Sequence, residues 1–408
     1  MAASGPLPVT QDLSTLRAKL QGLLRFLREA LSISNAHTVD FYTESVWDQL
    51  VDLPPETVLE VLKRSTAAAE AEAARPLVEA DGTPGITDFP EIFCGISQKL
   101  VSVEAFALAA KYYSVQNLGI CTPFEQLLVA LQGTQTQKIG ENVKPDEFMN
   151  LKKSHEVQAM SALISSIADY CGIKQDCLMV GLHTCGDLAP NTLRIFTSNS
   201  AIKGVCSVGC CYHLLSEEFE EPHKECTEEK WGFPMCHYLK EERWCCGRNA
   251  RMSACLALER VAVGQGLPTE SLFYRAVLQD IIKDCYGITR CDRHVGKIYS
   301  KSSSFLDYVR KSLKKLGLDE SKLPEKIIMD YYEKYKPRMN ELEAFNMLKV
   351  VLAPCIETLI LLDRLCYLKE QEDIAWCALV KLFDPVTSPR CYAVIALRRS
   401  NDSNCSRY

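Results

Sequence analysis

Apolar positions along the chain fall into two patterns, one helical and one strand-like. Over residues 16–31, Leu16, Leu20, Leu23, Leu24, Leu27 and Leu31 recur three and four apart, with Arg17, Lys19, Arg25 and Arg28 between them. That is the apolar stripe of an amphipathic helix. An aromatic-rich segment, Asp40 to Trp47, follows, and Pro54-Pro55 opens another helix, because proline fits a helix's first turn. Residues 65–74 carry no large apolar side chain and read as a solvated helix end or a linker, with a Gly/Pro loop at 81–85. Helical spacing returns over 101–113 and 122–131, before a polar loop at 133–144. Residues 1–145 are therefore expected to form a large all-helical region.

From there the period changes. Ser154 is the expected N-cap of a helix running to residue 170, with Met160, Leu163, Ile164, Ile167 and Ala168 on one face. Residues 177–183 are a short apolar run between turn residues, the pattern of a fully buried strand. A helix at 188–196 and a second buried strand at 203–209 complete a βαβ unit, whose strands should be parallel. The acidic run at 216–230 reads as a solvated loop. Further helices are expected at 249–263, 269–284, 305–316 and 323–335, and a long one over 339–371 interrupted at Pro354. Residues 374–380 and 391–397, with Asp384-Pro385 and Ser388-Pro389 between them, should form a β-hairpin that closes the sheet. The expected organisation is α/β, with a core over 146–300, a helical segment over 301–372 and the hairpin in 373–408.

Composition narrows the class. The chain has 408 residues, 47% hydrophobic and 24% charged, with a net charge of −6. Those values suit an ordinary globular protein and argue against disordered or fibrous classes and against a nucleic-acid-coating protein. The basic run Arg310 to Lys315 is by default a solvated helix face. The most apolar late stretch, 349–368, holds Pro354, Glu357, Asp363 and Arg364, so no membrane span is expected. The first residues lack a basic segment followed by an apolar one. The expectation is an intracellular chain, cytoplasmic or nuclear, whose 20 Cys are reduced.

Ten of those Cys lie between Cys177 and Cys255. His183, Cys185 and Asp187 follow the first strand; Cys210, Cys211, Tyr212 and His213 follow the second. Ligands of open α/β sheets bind at the carboxyl ends of the strands, so two parallel neighbours would aim both groups into one crevice. Imidazole, thiol, carboxylate and phenol can move protons or stack on a planar substrate. The plainer reading is that Cys206, Cys210 and Cys211 are small residues packing a strand end. No Cys-x-x-Cys occurs anywhere, so no metal ligands are assigned. A Gly-x-Ser-x-Gly elbow, a His-Glu-x-x-His pair and a phosphate loop are also absent. His155-Glu156 reads as a capping and surface pair.

Gly181-Leu182-His183-Thr184-Cys185-Gly186-Asp187-Leu188, followed by Ser207-Val208-Gly209-Cys210-Cys211-Tyr212, resembles a family of methyltransferase-like, S-adenosylmethionine-dependent proteins. The resemblance extends to residues 35–43, 152–156, 249–252 and 359–365, and so covers essentially the whole chain. It implies a Rossmann-like sheet of seven strands, a methyl-transfer activity and S-adenosylmethionine as cofactor. The family's first strand ends in a Gly-x-Gly turn, and an acid after the second strand holds the ribose, for the physical reasons that govern dinucleotide sites. Among all 20 Gly, only Gly264 and Gly266 make a Gly-x-Gly, and they follow a helix and precede Pro268. The chain passes from Gln175 straight to Asp176 and Cys177, which match the family's fourth strand. The resemblance thus implies a shortened form, of the kind a skipped exon produces, keeping strands four to seven in the order 4-5-7-6 with the last antiparallel; strand four then loses its neighbour and becomes an apolar, aggregation-prone edge, or the N-terminal helices cover it. Such a chain should bind S-adenosylmethionine poorly or not at all. His183, Cys185, Asp187, Cys210, Cys211 and Tyr212 are the retained candidates on the methyl-acceptor side. The acceptor is open between protein, RNA and small molecule. Two other classes compete: a non-catalytic interaction module with protein partners on its helical regions, and a Cys/His metal protein.

Overall fold

The computed structural model describes residues 6–73, 89–132, 149–173, 177–220, 230–256, 258, 261, 269–289 and 295–399. The chain divides into two compact units, one of residues 1–28, 110–260 and 352–408, the other of 29–109 and 261–351. The first holds the sheet.

That sheet has five strands: β1 (Cys121–Thr122), β2 (Cys177–Cys185), β3 (Ile202–Cys210), β4 (Ile374–Lys381) and β5 (Tyr392–Arg398), in the order β1-β4-β5-β3-β2. β2 and β3 are parallel, and β5 is antiparallel to both β3 and β4. The expected order of the four long strands is therefore observed. β1 is an addition, parallel to β4, and among the described residues of the first 145 it is the one strand. Two residues are too few to show the alternation by which a strand is recognised.

The apolar run of β2 by itself reads as a buried strand, whereas the shortened form makes it an edge, and the edge is what is observed: Cys177, Val180, His183 and Cys185 are exposed. Among the described residues only β3 pairs with it, which leaves its outer edge open. β3, flanked on both sides, is buried along its length except at Lys203. Helix α1 (Leu188–Ser198) joins the two, burying Ala189, Leu193 and Phe196. Helix α2 (Leu151–Tyr170) precedes β2, and its cap is Asn150, whose side chain accepts from the Lys153 N–H. Ser154, the expected cap, lies one turn past it; both residue types cap well, so the type alone does not decide.

The long helix α3 (Met339–Lys369) runs unbroken through Pro354. Val350, Leu352, Ala353, Cys355 and Ile356 around it are all buried, and that packing offsets the hydrogen bond that proline removes. By length and apolarity the run Glu325–Lys369 could cross a bilayer, yet 94% of its most apolar window is buried inside the fold. Among the described residues no disulfide forms.

The second unit is built on an aromatic core. Tyr42 stacks on Tyr335 at 4.3 Å, Phe41 meets Phe345 at 5.5 Å, and Tyr274 packs edge-on to Phe305 at 5.0 Å. The 305–316 helix is bounded as expected, capped by Ser304 and ended by Gly317 in the left-handed region. Lys311, Lys314 and Lys315 lie on its exposed face. The Gly264–Gly266 turn and the 133–144 loop lie outside the described residues.

Candidate functional site

β2 and β3 end side by side, with Cys185 paired to Cys210. Between Gly181 and Thr184 the register slips, so that three steps on β2 face two on β3. This bulge carries His183 at φ +59°. A bulge inserts one residue and re-aims the side chains around it. Thr184 turns inward, donating to the Val208 carbonyl at 2.9 Å and touching the Ser207 hydroxyl at 3.1 Å. Cys185 comes opposite Cys210, their sulfurs 2.9 Å apart.

Gly186 lets the two strand ends close up. Its φ is +50°, and a side chain there would meet the Leu214 carbonyl oxygen at 2.6 Å. Past β3, Cys211 also adopts the left-handed conformation, at φ +49°. The sulfurs of Cys185, Cys210 and Cys211 then lie within 4.8 Å of one another. Burial, and after it the neighbouring Cys185 and Cys211, pushes the Cys210 thiol well above its ordinary range. Burial raises Cys211 as well. Cys255 stands close by, 3.8 Å from His213 Nδ1.

The other candidate residues go elsewhere. His183 Nε2 lies 3.1 Å from Glu156 Oε2, and the Ser388 hydroxyl donates to Glu156 Oε1 at 2.5 Å. The acid sits between serine and imidazole, so the imidazole cannot activate the serine as it does in a hydrolase triad. Burial opposes the charge on Glu156, but Ser388 and His183 outweigh it and hold the carboxyl below its usual range. Glu156 is 3% exposed, and His155 Nε2 accepts from the Asp384 N–H, so the surface-pair reading is corrected. Asp187 accepts from the Ser216 N–H at 2.8 Å and fixes the loop after β3. Tyr212 is fully buried, donating to Glu357 Oε1 at 2.7 Å, and Arg390 reaches the same oxygen at 2.9 Å. The loop is further held by Glu217, which accepts from the Cys246 and Gly247 N–H groups and pairs with buried Arg251. The start of the acidic run is thus a buried anchor rather than a solvated loop, while residues 221–229 lie outside the described residues. No local pattern marks Glu156, Glu217, Arg251, Glu357 or Arg390 in the sequence, because each finds its partner across the fold.

The S-adenosylmethionine that the family implies does not fit these residues. Among the described residues no strand-to-helix turn offers a glycine cradle: the space at Gly186 is filled by Leu214. A cavity lined by Gln11, Gly119, Cys121, Thr122, Leu365 and Cys377 has about 130 Å³. Sites for ligands of that size take roughly 300–1,000 Å³.

Residues 134–218 match a family described as "Methyltransferase domain". A relative from Homo sapiens, named "Probable methyltransferase-like protein 25", is 58% identical over 601 residues, spanning 98% of this chain and 100% of the relative. One of the same name from Mus musculus is 51% identical over 601 residues, with the same coverage. A chain of 408 residues leaves at least 193 of those positions unmatched. No solved structure is significantly similar.

Proposed function

We infer what this chain does from one premise: it belongs to the methyltransferase-like protein 25 family. It carries a methyltransferase domain match and so belongs to a methyl-transfer lineage. Within that lineage it is the acceptor-side half of the fold. The family's first three strands, with the turn and the acid that would hold S-adenosylmethionine, have no counterpart in it.

The open outer edge of β2 carries this reading. In the family's sheet the fourth strand is flanked on both sides, and its apolar run belongs to such a place. Here the same run lies at a margin, with Val180 42% exposed. The alignment spans 98% of this chain and 100% of the relative, so nearly all the unmatched positions fall within it rather than beyond its ends. Removal of the cofactor-binding strands between Gln175 and Asp176 accounts for both facts. The crevice at Cys185, Cys210 and Cys211 remains as the acceptor face.

Calorimetric titration of the purified chain with S-adenosylmethionine tests this. The expected result is no saturable binding, while the human relative binds under the same conditions. A micromolar dissociation constant for the 408-residue chain would overturn it.

The open edge also favours a second reading, a non-catalytic interaction module. An unpaired strand edge is a template for a partner's strand. Capture of the longer family member by this chain, lost in Val180→Lys, is the outcome this reading requires.

A further inference from the structure

Sequence spacing offered no metal knuckle, yet the fold gathers three thiols from two strand ends. Their sulfurs lie within 4.8 Å of one another. The arrangement is imposed at a cost. The bulge at His183 sets the phase of Cys185, Gly186 permits the close approach, and Cys211 is held at φ +49°. A residue other than glycine adopts that conformation only under strain. Such strain persists only where its surroundings enforce it, and it gathers at functional sites.

We propose that Cys185, Cys210 and Cys211 form a three-thiolate site for a thiophilic metal ion, assigned as zinc. Each thiol releases its proton to solvent as its sulfur bonds the metal. Three thiolates on a divalent ion leave one net negative charge. Thiolate sets select zinc and copper(I) over harder cations. Three protein ligands leave the fourth tetrahedral position open, as in catalytic rather than structural zinc sites. Cys185 faces solvent and gives the ion its entry. The 2.9 Å between Cys185 and Cys210 lies between a disulfide of about 2.05 Å and the roughly 3.8 Å that two sulfurs span on one tetrahedral zinc. A disulfide would use two of the sulfurs and leave Cys211 out, so the third converging thiol favours the metal.

The test uses the whole chain, reduced and stripped with a chelator. Zn²⁺ is titrated against a chromophoric chelator, and Co²⁺ is followed by absorbance. One zinc per chain is expected, with a thiolate-to-cobalt charge-transfer band. Cys185→Ser and Cys211→Ser should each weaken zinc binding at least tenfold, whereas Cys177→Ser, at the far end of β2, should leave it unchanged. Circular dichroism verifies that each variant is folded; Cys185→Ser, at a solvent-facing position, is the safest of them. Zinc should also shield the three thiols from iodoacetamide while Cys177 reacts. Failure of the folded chain to retain zinc, or equal affinity in Cys185→Ser and the parent, would sink the assignment. So would a Cys185–Cys210 disulfide formed by a chain that takes up no metal when reduced. None of these readouts depends on S-adenosylmethionine.

Discussion

Asp363 shows how one carboxylate records its surroundings. It is buried on α3 and accepts from the Met235 and Cys236 N–H groups at 2.9 and 2.8 Å. Burial outweighs those bonds and lifts its pKa from 3.8 to about 6. The folded chain therefore holds this proton more tightly than the unfolded one. The contribution of Asp363 to stability is full below the unfolded value and declines as pH rises through about 6. Asp363→Asn keeps an oxygen for both N–H groups and cannot titrate. Urea midpoints measured between pH 4 and 6 should flatten in this variant; an unchanged slope would refute the assignment. Glu217 and Arg251 give a second test. Arg251→Met leaves Glu217 buried without its counter-charge, which should cost about 3–5 kcal/mol in chemical denaturation. Gly186→Ala places a Cβ against the Leu214 carbonyl at positive φ and should lose about 1–3 kcal/mol. In the sequence Cys185, Cys210 and Cys211 were legible as candidates, but Glu217, Glu357 and Arg390 were not. Tyr212 and Glu357 are 145 residues apart, and no periodicity links them.

At the scale of elements, most of the fold could be read because its signals are local. Ser304 and Gly317 bound their helix, and the 374–380 and 391–397 runs pair as a hairpin. The misreadings have physical causes. Pro354 does not break α3, because the buried residues flanking it hold both halves in place. β2 has the composition of a central strand and the position of an edge. That mismatch predicts behaviour: an exposed apolar edge promotes association between chains. Val180→Lys should reduce concentration-dependent light scattering without lowering the melting temperature. Unchanged scattering would mean that the edge is not what associates.

For the whole molecule, the proposed loss of the cofactor-binding strands is the decisive feature. Grafting the human relative's unmatched segment between Gln175 and Asp176 should give β2 a neighbour, suppress association and confer S-adenosylmethionine binding. A folded graft that still fails to bind would place the cofactor elsewhere. The sequence by itself determined the type of each long element and the absence of a Gly-rich strand turn, because each is written in short-range periodicity and in glycine and proline positions; the order of the four long strands followed from the family resemblance. Only the tertiary structure decided which sulfurs converge and which charges are buried together. A one-residue bulge sets the phase of β2, a left-handed Cys211 turns the chain after β3, and contacts across some thirty residues pair Arg251 with Glu217 and Arg390 with Glu357. These are consequences of packing, to which local periodicity is blind.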